Sequence, residues 1–233
     1  MRVLIVSALA ESLALAMRLM REGHDVMYYI QAKTEGDVGD GIIRKVPNWQ
    51  AAAHRADLVF FDDVEQKTDN GHYDGGAWAE RLRRAGKLVI GGSRVGDRLE
   101  NDRMFAYETF RRAGLAVVPM HRFTSFAAAR AFVKKNGGAW ALKWNEQVPR
   151  DLAGVFWEPE ELLGYLDWLE ENFETLAHGK KVDFVLQEAV KGIEVAVTGF
   201  FAHDRFVPGS IYVNQEIKRM MNDDEGPTTG QTG

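Results

Sequence analysis

The chain has 233 residues, with 34 acidic and 29 basic side chains, a formal net charge of −5 and no cysteine. That length supports one large domain or two modest ones with a buried core. The absence of cysteine excludes disulfides, thiolate nucleophiles and Cys-ligated zinc or iron–sulfur sites, and there is no basic surplus to argue for nucleic acid.

The first segment, MRVLIVSALAESLALAM, has the apolar character of a signal peptide. Glu11 and Arg18 interrupt it, so it reads as a strand (RVLIVS) followed by a helix (ESLALAMRLMREG) that stops at Gly23. HDVMYYI is a second strand, WQAAAHRA a short helix, and DLVFFDD a strand ending in two carboxylates. GGAWAERLRRAG is a helix closed by Gly86, and KLVIGG a further strand. Strands alternating with helices up to about residue 96 predict a parallel sheet with crossover helices. RLENDRMFAYETFRRAGLAVV reads as one helix running into an extended segment. Ser125 opens and Gly137–Gly138 close a helix over SFAAARAFVKKNGG, AWALKWN is a strand, and EPEELLGYLDWLEENF is an acidic amphipathic helix with Pro159 near its start. DFVLQEAV, IEVAVTGFFAHDRFV and GSIYVNQEIK are strand-rich, with a hairpin turn at AHDR. No segment approaches the ~20 apolar residues of a membrane span, so a cytoplasmic location is expected.

Several chemistries are disfavoured by what the turns contain. The first strand–helix turn, SALAES, has no glycine, so a pyrophosphate cannot approach its backbone as in a dinucleotide-binding G-x-G-x-x-G turn. There is no G-x-x-x-x-G-K-[ST] loop and no H-E-x-x-H helix. The six histidines (His24, His54, His72, His121, His178 and His203) lack metal-ligand spacing.

The second half carries the positive signal. In VLQEAVKGIEVAV, Glu194 stands where a carboxylate can accept both hydroxyls of a ribose, and Gln187 with the Ala189–Val190 backbone can meet an adenine edge. Taken alone, the same residues also fit a solvated edge strand. In order and spacing, LENDRMFAYETFRRAGL, WALKWN, VLQEAVKGIEVAV and QEIKRMMNDDEGPTTGQTG resemble the ATP-grasp ligases, and among them phosphoribosylamine–glycine ligase. That family has a lysine-bearing helix where ENDR stands, a K-A-D-G strand end where KWNE stands, an E-E-F-L-x-G-x-E hinge where QEAVKGIE stands, and D-x-G-P-N-T-G-G-M-G where DDEGPTTGQTG stands.

The resemblance implies an α/β protein in four parts. These are an N-terminal parallel-sheet (pre-ATP-grasp) domain at 1–96, a linking helix at 97–118, an α+β ATP-grasp lid at 119–187, and the first part of the ATP-grasp core at 188–233. It implies that ATP is bound by Lys143 at the adenine ring and α-phosphate, and by Arg103 at the phosphates, where a guanidinium replaces a lysine. Gln187, Glu188 and Val190 match the adenine hinge, and Glu194 the ribose-binding glutamate. Lys218, Arg219, Thr229 and Gly230 fall in the region around the acceptor substrates, although Lys218–Arg219 alone would read as a solvated basic pair. Glycine and phosphoribosylamine are the implied substrates, and Mg2+ the implied metal.

Three departures stand against this pattern. The family's glycine-rich phosphate loop corresponds to EQVPRDL (Glu146–Leu152), with Asp151 at the lysine position and Arg150 as the one cation; its carboxylates repel phosphate. The family's G-G-R-E-H-A turn is SALAESLA here. The family's metal-binding glutamate and asparagine lie beyond the GPTTG segment, in a part of the order of 200 residues, about one further domain. Three functions follow as expectations: an ATP-dependent carboxylate–amine ligase completed by further chain, a nucleotide-binding or interaction module (for instance a divergent copy in a phage or mobile element), and a ligase retuned to another amine or carboxylate. Uncovered sheet edges would favour self-association or a complementing chain.

Overall fold

The computed structural model describes residues 1–145, 152–219 and 228–232, with side chains up to residue 217. The first part contains β1 (Arg2–Ser7), α1 (Leu13–Arg21), β2 (Asp25–Ile30), β3 (Arg44–Lys45), α2 (Trp49–Arg55), β4 (Leu58–Phe61), β5 (Gln66–Thr68), β6 (Gly71–Tyr73), α3 (Gly75–Arg84) and β7 (Leu88–Ile90). Five of these strands form one parallel sheet in the order β3-β2-β1-β4-β7. The apolar run of β1 serves both faces. Val3 and Ile5 pack with Val26, Tyr28 and Ala16 of α1. Leu4 and Val6 pack with Met27, Val59, Trp49 and Ala52 of α2, and Ala79 of α3. Alternate side chains of a strand point to opposite faces, so a strand covered on both sides must be apolar throughout. The β5–β6 hairpin was not expected; its strands are too short and polar to announce themselves.

The predicted single helix over RLENDRMFAYETFRR is two, α4 (Arg94–Asn101) and α5 (Arg103–Arg112). Asp102 separates them with φ −117° and ψ 91°, and its Oδ1 accepts from the Phe105 amide at 2.9 Å. Its Oδ2 accepts from Arg98 at 3.2 Å. Aspartate gains more by capping a new helix than by continuing an old one, so Arg103 becomes the first residue of α5.

The next part contains β8 (Met120–Phe123), α6 (Phe126–Asn136), β9 (Trp140–Trp144), β10 (Gly154–Phe156), α7 (Pro159–Leu176) and β11 (Phe184–Glu188). Its strands form an antiparallel sheet in the order β10-β9-β11-β8. The expected signals are present: Ser125 caps α6 at the Ala128 amide, Gly137 ends it at φ +60°, and Pro159 opens α7. Helices α6 and α7 cover one face of this sheet through a core of its own, in which Trp144 stacks on Phe173 (4.9 Å, 16°) and Phe126 on Phe184 (5.7 Å, 24°).

The last part is a set of two-stranded ribbons. β12 (Val195–Thr198) is followed by β13 (Phe201–Ala202), β14 (Arg205–Phe206), β15 (Tyr212–Gln215), β16 (Ile217–Arg219) and β17 (Thr228–Thr232). β12 pairs with β15, β13 with β14 across the expected His203–Asp204 turn, and β16 with β17, all antiparallel. Val195, Val197 and Val213 on these ribbons are all more than half exposed.

Asp183, just before β11, ties the second sheet together. Arg122 of β8 donates to its two oxygens at 2.8 and 2.5 Å, and Asn145, just past β9, donates at 2.7 Å. These bonds, those from Arg122 foremost, hold the Asp183 carboxyl below its ordinary range. Asp183→Ala is expected to cost about 1–2 kcal/mol, the low side for charged hydrogen bonds because Arg122 is half exposed. A depressed carboxyl contributes stability above its unfolded pKa and loses it as pH falls through the folded value. Urea midpoints of wild type and variant should therefore differ at neutral pH and converge on acidification.

Candidate functional site

The pairing of β9 with β11 sorts polar from apolar. Leu142 opposes Leu186 and Trp144 opposes Phe184, all four buried in the helix-covered core. Alternate residues point the other way: Lys143 opposes Val185, and Ala141 opposes Gln187. On that open face lies a cavity of about 470 Å³ whose walls include Ala141, Lys143, Gln187, Glu188, Val190 and Glu194. The hinge after β11 is held by its backbone, with the Glu188 amide donating to Pro119 O and the Ala189 amide to Ala139 O, both at 2.9 Å. Beyond it, the Glu216 amide donates to Glu194 O at 2.9 Å, which fixes the start of β12 against the strand leaving β15.

Five of the six residues singled out for ATP therefore meet at one cavity. The sixth, Arg103, lines an adjoining cavity of about 320 Å³ that shares Val118 and Gln187 with the first, and its Nε donates to Trp144 O at 3.2 Å. The other candidates lie on the last ribbon. Lys218 and Arg219 are in β16 and Thr229 and Gly230 in β17, with Arg219 opposite Thr228; their side chains lie outside the described residues. The expected GPTTG turn is thus extended from Thr228 onward, where a ladder partner and β-branched threonines favour strand over turn. Glu146–Asp151 lies outside the described residues, while Leu152 is buried and its carbonyl accepts from Trp144 Nε1 at 2.8 Å.

Trp157, just past β10, also lines the main cavity, with Lys191 Nζ 4.7 Å from its ring centroid. Sequence reasoning missed it, although the β-forming GVFW segment was the available signal. A second polar group lies at the C-terminal edge of the parallel sheet. There the strand order reverses between β1 and β4, the usual place for a ligand in an open α/β sheet. Both oxygens of Asp62 are buried, and burial pushes its carboxyl above the ordinary range. The Ser7 and Ser12 hydroxyls and the Ala8 amide face it and pull the other way, yet neither oxygen reaches good hydrogen-bond geometry. A cavity of about 650 Å³ runs from Asp62 and Gly91 to Phe200 and Phe201 of the ribbons.

No protein-family model matches the chain. A curated phosphoribosylamine–glycine ligase of Halalkalibacterium halodurans is 25% identical over 154 residues, covering 66% of this chain and 35% of that protein. Another, from Ralstonia nicotianae, is 24% identical and covers 100% of this chain and 54% of that protein. The solved phosphoribosylamine–glycine ligase of Thermotoga maritima superposes with a TM-score of 0.67 at 19% identity, over 99% of this chain and 54% of the other. The chain resembles the phosphoribosylamine–glycine ligases. The fold is also that of the N5-carboxyaminoimidazole synthetase of Staphylococcus aureus solved with ADP (TM-score 0.59, 13% identity, 94% of this chain and 54% of the other). The chain spans about half, or less, of the length of these phosphoribosylamine–glycine ligases.

The two-faced β9 gives a direct check. Leu142→Ala is expected to cost about 2–5 kcal/mol. Its neighbour Lys143→Met is expected to cost less than about 1 kcal/mol. Urea denaturation of the two variants measures both.

Proposed function

We propose that this chain supplies the nucleotide-binding half of an ATP-dependent carboxylate–amine ligase of the phosphoribosylamine–glycine ligase type. The observation that carries the reading is the convergence of Lys143, Gln187, Glu188, Val190 and Glu194 on one cavity. In this reading Glu194 accepts the ribose hydroxyls. Gln187 and the Val190 amide meet the adenine edge, since the amides of Glu188 and Ala189 are already bonded. Lys143 and Arg103 supply positive charge to the phosphates, Arg103 from the first turn of α5. Lys218, Arg219, Thr229 and Gly230 of the β16–β17 ribbon are assigned to the acceptor side.

The chemistry is the formation and use of an acyl phosphate. A carboxylate oxygen attacks the γ-phosphorus and ADP leaves; an amine then attacks the acyl carbon and phosphate leaves. Positioning and charge neutralisation carry most of such catalysis. Among the described residues, the carboxylates lining the main cavity are Glu188 and Glu194, which this reading gives to the base and ribose. They do not by themselves make up a magnesium site, and no step is routed through Mg2+. The exposed apolar ribbons around β12 and β15 are the surface that further core, from this polypeptide or a complementing one, would cover. No described helix is long and apolar enough to cross a membrane, and we assign the protein to the cytoplasm.

Glycine and phosphoribosylamine are the leading substrates. The buried Asp62 carboxyl favours a second reading for the amine, because an acidic edge suits a hydroxyl- or amine-bearing group better than a phosphate. Calorimetry should give ATP binding by this chain. Lys143→Met and Glu194→Gln should each weaken it about ten-fold or more, or ~1.4 kcal/mol. ADP release from the complemented protein, with glycine and phosphoribosylamine set against other amines, then separates the two substrate readings. ATP affinity unchanged in both variants would sink the proposal, and tight ATP binding with no turnover on any amine would leave a nucleotide-binding module.

A further inference from the structure

We infer that Glu65, Asp74 and Asp97 form a site for a hard divalent cation of the calcium class, in the N-terminal part of the fold and apart from the proposed nucleotide cavity. One carboxylate oxygen from each lies within 4.8 Å of the other two. Calcium takes oxygen ligands at about 2.3–2.6 Å, so three oxygens at this spacing approach the shell of a single ion. The ligands come from three separate elements. Glu65 precedes β5, Asp74 is the residue before α3, and Asp97 is in the first turn of α4.

The burial of Asp97 points to a ligand independently of the clustering. The residue is 1% exposed. Its Oδ2 accepts from the Gly76 amide at 3.1 Å, while Oδ1 is buried without a hydrogen-bond partner among the described residues. A buried carboxylate oxygen left without a donor or cation is costly. The surroundings are shaped to admit this group: a Cβ at Gly76 would lie 2.2 Å from Asp97 Oδ2 and 2.6 Å from Ser93 O. Asp74 stands at the N-cap of α3 yet makes no side-chain capping bond, while Asp97 from the neighbouring helix accepts from one first-turn amide, that of Gly76. Burial foremost pushes the Asp97 carboxyl above its ordinary range; the Gly76 and Glu65 amides pull the other way, and the Glu65 and Asp74 carboxylates add to the rise. Beside the cluster, His72 Nε2 lies 3.1 Å from a Glu65 oxygen, and Lys67 and Lys180 line an open cavity together with Glu65.

An all-carboxylate donor set selects a hard cation over zinc or copper. Bound there, the ion would join the β5–β6 hairpin, α3 and α4. α4 ends at Asp102, the cap that positions Arg103, so the clamp braces the approach to the neighbouring cleft.

Terbium(III) is a luminescent probe for such a site, and Trp78 lies one helical turn beyond Asp74, with its amide donating to Asp74 O at 3.0 Å. With the full chain and no nucleotide, excitation of tryptophan should give sensitised terbium emission that millimolar Ca2+ displaces, and Ca2+ should raise Tm. Asp74→Asn, which removes no capping bond, should weaken terbium binding about ten-fold or more, as should Glu65→Gln. Glu194→Gln should leave the emission unchanged. The proposal is overturned by wild-type protein with no sensitised emission and a Tm indifferent to Ca2+, the behaviour of carboxyls sharing a proton. It is equally overturned by emission that persists unaltered in both Asp74→Asn and Glu65→Gln.

Discussion

The cleft depends on the register between β9 and β11. With Lys143 opposite Val185 and Leu142 opposite Leu186, Trp140, Leu142, Trp144, Phe184 and Leu186 enter the aromatic core, while Ala141, Lys143 and Gln187 face the cavity. A slip of one residue would turn a lysine toward Phe173 and Phe184 and put leucine in water. The register is therefore enforced by the core rather than by the polar residues that use it. Trp140, Leu142, Trp144, Phe184 and Leu186 supply the energy, and Lys143 and Gln187 take their positions as a consequence.

The same sheet is anchored from both directions. Asp183 binds Arg122 on one neighbouring strand and Asn145 at the end of the other, so the strand carrying Lys143 is held at its exit. On the far side Arg103 reaches the Trp144 carbonyl from the start of α5. Asp102 makes this contact available by breaking the helix one residue earlier. A continuous helix would carry Arg103 in its interior, with its amide committed to the preceding turn. A single capping aspartate thus connects the parallel-sheet part of the chain to the wall of the cleft.

The ribbons after the hinge have a different character. The core of the second sheet is closed by α6 and α7, whereas Val195, Val197 and Val213 have no comparable cover among the described residues. Short two-stranded ribbons are at best marginally stable alone. The parallel sheet is the opposite case. It is covered on both faces, and its polar groups sit at the strand ends and in the loops around α3 and α4, where Asp62 and the Glu65–Asp74–Asp97 cluster lie.

Most of the elements follow from local signals in the chain. The two-sided apolar run RVLIVS, Ser125 before α6, Gly137 after it and Pro159 at the head of α7 are local signals, and local chemistry settles them. The hinge motif also names Gln187, Glu188, Val190 and Glu194, because the residues of a strand–turn–strand stay neighbours however the chain folds. Tertiary structure alone decided the rest. Strand order, the meeting of Lys143 with that hinge, the place of Trp157 in the same wall and the convergence of three carboxylates from a loop, a cap and a helix all join residues far apart in sequence. The break at Asp102 and the strand at Thr228 fall between these cases: helix against cap and turn against strand are close contests locally, and the partner element decides them. Periodicity reports which face of an element is apolar; only packing fixes which other element that face will meet.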